Sequence, residues 1–170
     1  VNLPWHRTFL FVNYSVGKLM NDTDGAFSLP VDNFNPGAEW GPAQGDVRHR
    51  VSGMFNMNLW NGFKIATSFS GNSAPPYNIT TGRDDNNDSV ANDRPAGVRR
   101  NSLQGPGAAT LDLRWTKEFQ LKKDKKEDEG ARITIGVDAF NVLNRTNYTG
   151  FVGNQSSPFF GLPVAARPAR

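Results

Sequence analysis

The residues best suited to bind a metal ion lie in one polar stretch near the middle of the chain. Asp84, Asn86 and Asp88 occupy alternate positions, and at that spacing carboxylate and amide oxygens can converge on a hard cation such as Ca²⁺. An EF-hand loop counted from Asp84 would have glycine and glutamate where Ser89 and Pro95 stand. The stretch therefore predicts either a structural Ca²⁺ site or a solvated turn rich in aspartate and asparagine. The candidate calcium ligands are Asp84, Asn86, Asp88 and Asp93.

Arginine and aromatic side chains in the same region and in another loop are candidates for ligand binding. Guanidinium groups can hold carboxylate or phosphate groups of a ligand or of lipopolysaccharide, or they can pair with the neighbouring aspartates. Aromatic rings can stack on a sugar or an aromatic ligand, or they can pack within their loops. The candidate ligand-binding residues are Trp40, Tyr77, Arg83, Arg94, Arg99 and Arg100.

Composition excludes several other kinds of chemistry. The chain has no cysteine, which removes disulfide scaffolds and thiolate metal sites. His6 and His49 are its only histidines, and no serine or carboxylate lies at a spacing that indicates a catalytic triad, so we expect no enzyme. The 19 basic and 16 acidic residues are too evenly balanced to predict nucleic-acid binding.

Five segments alternate between apolar and polar residues, which predicts β-strands with one apolar side. Lys117 and Asn141 interrupt the apolar stripes. The predicted strands are residues 7–17, 46–59, 63–71, 109–121 and 132–143. The apolar residues that fall on the otherwise polar side are Phe9, Phe11, Met54 and Phe140.

The second and third predicted strands must form a hairpin, because only three residues separate them. A turn of two residues, Asn61 and Gly62, would pair Leu59 with Lys64 and set apolar residues against polar ones. A loop of three residues pairs Leu59 with Phe63 instead. It also places Gly62 at the left-handed position that such loops require. We therefore predict the three-residue loop.

The connections differ greatly in length, and their order predicts a membrane barrel. The short turns, including the charged segment 122–130, would all lie at one end of the sheet, and the connections 18–45, 72–108 and 144–170 at the other. Bacterial outer-membrane barrels have this asymmetry. We predict an all-β, antiparallel, up-and-down transmembrane β-barrel, of which this chain gives about five strands. Predicted interfacial residues are Trp5, Trp60 and Trp115, and predicted lumen residues are Arg48, Arg50, Lys64, Asp112, Arg114, Glu118 and Asp138.

Several short motifs are spread in order along the chain. They are the segments 39–42 with 46–50, 78–95 with 100–102, 111–113, 139–148 and 157–161. The longest reads Asn-Ile-Thr-Thr-Gly-Arg-Asp-Asp-Asn-Asn-Asp-Ser-Val-Ala-Asn-Asp-Arg-Pro. With these motifs the chain resembles the C-terminal barrel of TonB-dependent outer-membrane receptors, and most of all their Oar-like branch. The family's Asn-Leu-Phe-Asn signature in the penultimate strand is here Asn141-Val142-Leu143-Asn144.

The resemblance implies a bacterial outer-membrane receptor that imports a scarce ligand through a barrel of roughly 22 strands. Residues 1–170 would be the C-terminal portion of that barrel, without the plug domain and the final strand. The implied partners are outer-membrane lipid and lipopolysaccharide, the plug domain, the remaining barrel strands, and TonB through an N-terminal part. No cofactor is required. The resemblance does not choose among siderophore, cobalamin, peptide and glycan as the ligand.

Two other functions fit the same sequence. In a secreted all-β module that binds a carbohydrate or another ligand, the apolar stripe would face a second sheet. In an adhesin or scaffold, the chain would form a barrel that does not transport, and the long loops would be its working surface.

Overall fold

The computed structural model describes residues 2–3, 7–121 and 131–168, and most of its regular structure is β-strand. The predicted turn 122–130, Trp5 and His6 lie outside the described residues. The short 3-10 helices are Pro36–Glu39 and Trp60–Gly62. In chain order the strands are β1 (Asn2–Leu3), β2 (Thr8–Val16), β3 (Met20–Asn21), β4 (Gly41–Pro42), β5 (His49–Asn58), β6 (Phe63–Asn72), β7 (Pro76–Tyr77), β8 (Leu103–Gln104), β9 (Ala108–Gln120), β10 (Arg132–Ala139), β11 (Tyr148–Phe151) and β12 (Pro163–Ala166).

One antiparallel sheet contains all the long strands, in the order β1-β2-β5-β6-β9-β10. Each long strand pairs with the long strand that precedes or follows it in the chain, so the sheet is an up-and-down meander. In the described residues this sheet is open, with β1 and β10 at its two edges. Three two-stranded sheets, β3 with β4, β7 with β8, and β11 with β12, lie outside it. The predicted all-β antiparallel class is confirmed.

Three of the five strand predictions match the structure to within one residue at each end, namely those for β2, β6 and β9. The prediction 46–59 begins too early, because β5 starts only at His49. Asp46 is in a turn instead, where its carboxylate accepts the backbone N–H of Leu19 at 3.0 Å and the guanidinium of Arg48 at 2.8 Å. A carboxylate that forms these bonds stabilises the turn in competition with the strand pairing of β5.

The prediction 132–143 is wrong beyond Ala139, where β10 ends. Asn141 and Asn144 have φ values of 48° and 46°, which belong to a left-handed turn and not to a strand. The N–H of Asn141 donates to Asp112 Oδ1 at 2.9 Å. Asparagine tolerates this conformation better than most residues do, and the segment that carries the Asn-Val-Leu-Asn motif therefore leaves the regular strand. It stays attached to β9, because Val142 N–H donates to Leu111 O at 2.8 Å.

The hairpin between β5 and β6 has the predicted three-residue loop. Leu59 N–H donates to Phe63 O at 2.7 Å, and Met57 lies opposite Ile65. Gly62 has φ +75°, and a Cβ on it would lie 2.7 Å from the carbonyl oxygen of a neighbouring strand residue. Both the register and the left-handed glycine are confirmed.

The pairing register brings the apolar residues of the five long strands to one side of the sheet. One row across the strands runs Leu10, Phe55, Thr67, Leu113 and Ala139. This side is termed the apolar face. Its large apolar members are Leu10, Val12, Tyr14, Val16, Val51, Phe55, Met57, Phe63, Ile65, Phe69, Leu111, Leu113, Trp115, Phe119, Ile133, Ile135 and Val137.

The apolar face is not covered by a second layer of the described chain. Val12 is 53% exposed, Val16 is 65% exposed and Ile135 is 55% exposed. Among the described residues no large side chain is fully buried. The buried alanine and isoleucine residues of the described chain are Ala43, Ala74, Ile79 and Ala108, and none of them is on the apolar face.

Lys117, the predicted misfit on the apolar face, is accommodated at its edge. It lies between Phe63 and Ile135 in the register. Its ammonium group lies 3.9 Å from the centre of the Phe63 ring and donates to the carbonyl of Asn61 in the hairpin loop. The long aliphatic stem crosses apolar surface while the charge reaches the end of the sheet.

The opposite side, termed the polar face, carries a cross-strand network of charges. Lys64 pairs with Glu118 at 3.0 Å, Glu118 with Arg132 at 3.4 Å, and Arg114 with Asp138 at 3.0 Å. The prediction that the charged residues share one side of the sheet is confirmed for Arg50, Lys64, Asp112, Arg114, Glu118 and Asp138, whereas Arg48 precedes β5.

No helix within the described part of the chain is long and apolar enough to span a bilayer.

Candidate ligand-binding site in the loop cap

Two long connections lie at the same end of the main sheet, because each joins the end of one strand to the start of its antiparallel neighbour. They are residues 17–48, between β2 and β5, and residues 73–107, between β6 and β9. Together they are termed the loop cap. The hairpin Trp60–Gly62 lies at the other end of the sheet. The predicted separation of long and short connections is confirmed for the described residues.

A buried salt bridge joins the two halves of the loop cap. Arg94 donates from Nη1 to Glu39 Oε2 at 2.9 Å and from Nη2 to Glu39 Oε1 at 2.7 Å, and both side chains are 7% exposed. Val31 N–H also donates to Glu39 Oε1, at 3.1 Å. Burial raises the pKa of Glu39, but the hydrogen bonds from Arg94 and Val31 and the charges of Arg94 and Arg100 outweigh it and hold the pKa below its usual value. Two parallel bonds of this kind fix distance and orientation together.

Arg100 forms a second buried joint between the same two connections. Its Nε donates to the carbonyl of Glu39 at 2.8 Å, and its Nη2 donates to the carbonyl and side-chain oxygens of Asn21. Its Nη1 lies 2.8 Å from Asp24 Oδ1, although no acceptor is in hydrogen-bonding geometry there. Gly41 passes so close that a Cβ on it would lie 2.8 Å from Arg100 O. Arg100 therefore serves as a structural centre for the loop cap.

The stretch that predicts calcium binding forms a network of hydrogen bonds to its own backbone. The Asp84 carboxylate accepts the N–H groups of Asp88 and Ser89, at 3.1 and 2.9 Å. Buried Asp93 accepts those of Asp85 and Asn86 through Oδ2, at 2.6 and 3.1 Å. Such Asx turns satisfy the backbone without a metal.

No three acidic, histidine or cysteine side chains of the described residues gather as a metal site requires. The Ca²⁺ site on Asp84, Asn86, Asp88 and Asp93 stays a prediction.

The candidate ligand-binding residues fall into two groups. Arg94 and Arg100 are buried in the joints described above, and Tyr77 stacks on Phe151 with 5.4 Å between ring centres. Arg83 is exposed and lies 3.5 Å from Asp85. The alternative to ligand binding is that these arginines pair with neighbouring aspartates. Arg94 and Arg100 do form ion pairs, but their partners Glu39 and Asp24 lie in the other long connection. Trp40, which is 59% exposed, and Arg99, which is exposed, make neither a salt bridge nor a ring contact with the described residues.

A cleft of about 430 Å³ brings Trp40 and Arg99 together. Its lining combines apolar and basic residues. The residues that line it are Lys18, Met20, Trp40, Gly41, Pro42, Arg48, Arg99, Arg100 and Ser102. No aspartate or glutamate is among them. A cleft with this lining can hold a ligand that is both negatively charged and partly apolar.

Several residues that build this region carry no signal in the sequence. Asp24 and Lys18 lie in loops of mixed composition, and Glu39 stands among glycine, proline and alanine. The roles of Glu39 and Asp24 depend on contacts across 55 or more positions, with Arg94 and Arg100 respectively. Only this pairing with a distant residue distinguishes the two carboxylates from ordinary solvated loop charges.

The segment after β10 attaches to β9 through a side chain. Asn147 is buried, accepts Ala109 N–H through Oδ1 at 2.8 Å, and donates from Nδ2 to Ala109 O at 3.0 Å. The amide of Asn147 thus takes the place that a strand residue would have beside Ala109. Arg167 N–H in turn donates to Asn147 O at 2.8 Å, which ties β12 to the same point.

No known protein family, characterised protein or solved structure matches this chain.

Proposed function

We propose that this chain is part of the β-barrel of a bacterial outer-membrane receptor of the TonB-dependent class, which imports a scarce ligand. The chain would supply about five adjacent strands. Further strands and a plug domain would come from other parts of the same protein. The loop cap would face the cell exterior and take part in ligand capture, and the chain would have no catalytic role.

The observation that carries the proposal is the exposed apolar face. It extends over five strands in register. Its residues on the outer strands β2 and β10, such as Val12 and Ile135, are more than half exposed, and those on the central strands β5 and β6 are partly exposed. Monomeric soluble proteins rarely expose contiguous apolar patches larger than a few hundred Å². Hydrocarbon in contact with this face would remove it from water without a second protein layer.

The dimensions and the ends of the sheet are consistent with a bilayer. A strand of about 10 residues rising about 3.3 Å per residue and tilted about 45° spans about 23 Å, close to the apolar band of about 25 Å in such barrels. Tyr14 and His49 are hydrogen-bonded at 2.7 Å near the loop-cap end of the apolar face. Trp60, which is 67% exposed, and Phe63 lie at the hairpin end. Aromatic girdles at both interfaces are typical of outer-membrane barrels.

The polar face supports an enclosed, water-filled interior. Its ion pairs, such as Lys64 with Glu118, join neighbouring strands across the middle of the sheet. In a barrel the side chains of one face point to lipid and those of the other to the lumen, where charges can remain hydrated. The open edges at β1 and β10 require further strands, because unpaired backbone groups are not tolerated in hydrocarbon.

Membrane extraction tests the proposal directly. The full-length product is expressed in a Gram-negative host, and its membranes are separated on a sucrose gradient and washed with alkaline carbonate. We expect the protein in the outer-membrane fraction, resistant to the wash and released only by detergent. A product that stays soluble and monomeric without detergent or lipid would contradict the proposal.

A secreted all-β binding module is the second candidate, and one observation favours it. Phe9, Phe11 and Met54 form a small apolar patch on the polar face, where their exposed fractions are 41%, 48% and 46%. A protein with apolar surface on both sides of a sheet can pack further layers on each of them. Recovery of the full-length product from the culture medium would support this candidate.

A further inference from the structure

We infer that the cleft in the loop cap is a binding site for a ligand that carries a phosphate or carboxylate group next to a flat, ring-bearing portion. The inference deepens the proposed function, because it rests on ligand capture by the loop cap and names the chemical class captured. The anionic group would meet Lys18 and Arg99, and the ring would stack on Trp40.

The charge of the cleft is the first argument. Four cationic side chains border it, and two of these have carboxylate partners: Arg48 lies 2.8 Å from Asp46, and Arg100 lies 2.8 Å from Asp24. Lys18 and Arg99 make no salt bridge with the described residues. Lys18 acts on the Asp46 carboxylate as a charge without a salt bridge, and Arg99 has no carboxylate partner in the described chain. Four cationic and no acidic side chains line the cleft, so it attracts anions.

A buried donor of one lining residue, Arg48, adds to this positive potential. Arg48 Nε is buried without a hydrogen-bond acceptor in the described chain. Both carboxylates near the cleft already accept bonds: Asp46 from Leu19 N–H, and Asp24 from Asn101 Nδ2 at 3.2 Å. A buried donor without an acceptor is costly, and a bound anion lowers that cost by electrostatic attraction.

The apolar wall is the second argument. Trp40 is 59% exposed, and Met20 and Pro42 line the same cleft. An exposed tryptophan beside a basic surface can stack on a sugar ring or an aromatic ring while its neighbours bind the charge. A ligand with only a charge, such as inorganic phosphate, would leave this wall unused.

The cleft is also held in shape before any ligand arrives. Trp40 follows the helix Pro36–Glu39, and its N–H donates to Gly37 O at 3.3 Å. β4 pairs with β3, and Arg100 binds the carbonyl of Glu39 directly before Trp40. A site whose walls are already ordered loses little conformational entropy when it binds.

Calorimetric titration of the full-length protein in neutral detergent at low salt tests the inference, with phenyl phosphate, phenyl β-glucoside and inorganic phosphate as probes. We expect phenyl phosphate to bind at least about tenfold more tightly than either of the others, and salt to weaken its binding. The double variant Lys18→Ala with Arg99→Ala should lose that preference. Trp40→Ala should weaken binding of phenyl phosphate and leave that of inorganic phosphate unchanged.

Arg145→Ala is the matched control, because this exposed arginine also follows a strand at the loop-cap end but lies outside the cleft. It should bind phenyl phosphate as the wild type does. The inference is overturned if phenyl β-glucoside binds as tightly as phenyl phosphate. It is also overturned if the double variant binds like the wild type, or if Arg145→Ala weakens binding as much as the double variant does. Circular dichroism of each variant confirms that it is folded.

A lipid headgroup and a free solute can both supply the anionic group. Addition of phosphatidylglycerol to the micelles displaces phenyl phosphate if the natural source is lipid, whereas the same amount of phosphatidylcholine does not. If neither lipid displaces the probe, the source is a soluble ligand. Failure of the membrane proposal can be distinguished from failure of this inference. A product that is soluble without detergent and still prefers phenyl phosphate would contradict the barrel proposal and support the binding site in the cleft.

Discussion

The main sheet and the loop cap place their apolar and charged residues in opposite ways. The sheet exposes large apolar side chains such as Val16 and Ile135, whereas the loop cap buries the salt bridge of Glu39 with Arg94 and the guanidinium of Arg100. Water would favour the reverse arrangement in each region. Under the proposed function, the sheet would rely on surroundings less polar than water, whereas the loop cap is held together by its own ion pairs and hydrogen bonds.

The largest effect should come from breaking the loop cap. Arg94→Ala leaves Glu39 buried without its partner, and loss of one member of a buried pair costs about 3–5 kcal/mol. Arg83→Ala removes an exposed arginine from the same connection and should change the free energy of unfolding by less than about 0.5 kcal/mol. Chemical denaturation, followed by limited proteolysis of residues 73–107, measures both. Equal effects of the two variants would show that the buried pair is not what holds the cap.

A charge introduced on the apolar face should have the next largest effect on stability, and it tests the environment of the main sheet. In a bilayer Ile135→Lys should cost about 2–4 kcal/mol, whereas Thr134→Lys on the polar face should cost little. In water the half-exposed Ile135 would tolerate lysine to within about 0.5 kcal/mol. Denaturant unfolding in lipid vesicles distinguishes these cases, and similar stabilities for the two variants would argue against lipid contact.

The hairpin end of the sheet should respond less strongly. Gly62→Ala places a Cβ at φ +75° and 2.7 Å from Glu118 O, so we expect a loss of about 1–3 kcal/mol. Asn61 in the same loop has a left-handed backbone conformation, which glycine adopts freely. Asn61→Gly should therefore leave the stability nearly unchanged. Thermal melting of both variants gives the comparison. A neutral Gly62→Ala would mean that the loop relaxes into another turn.

The pH dependence of the loop cap should be the smallest effect. The folded pKa of Glu39 lies below its unfolded value of 4.5, so its contribution to stability is present above pH 4.5 and is lost as pH falls through the folded value. Glu39→Gln cannot titrate, and its melting temperature should fall less steeply between about pH 6 and about pH 3. Parallel slopes for wild type and variant would assign the acid sensitivity to other carboxylates.

Much of the sheet could be predicted from sequence because its rule is local. Alternation with a period of two predicted β2, β6 and β9 to within one residue, and the Leu59 to Phe63 register of the hairpin followed from matching faces. The errors at β5 and β10 arose where a side chain competes with the ladder, namely Asp46 and Asn141. Such competition depends on a partner that periodicity does not indicate.

The candidate site could be predicted only in part. Trp40 and Arg99 were identified by residue type, and both line the cleft. Arg94 and Arg100 were identified in the same way, but Glu39 and Asp24 bind them internally. Residue type shows what chemistry a side chain can perform, and only the fold shows which of these side chains already have a partner. Lys18 lines the cleft from a position two residues after the end of β2, which its residue type does not indicate.

The Asn147 amide has a consequence for strand pairing between copies of this protein. β9 extends beyond the end of β10, and that projecting piece would present bare ladder groups to any extended chain nearby. By occupying the N–H and the carbonyl of Ala109, Asn147 removes an anchoring point for domain swapping or fibril growth. A single side chain thus blocks one pairing position on the projecting end of this strand.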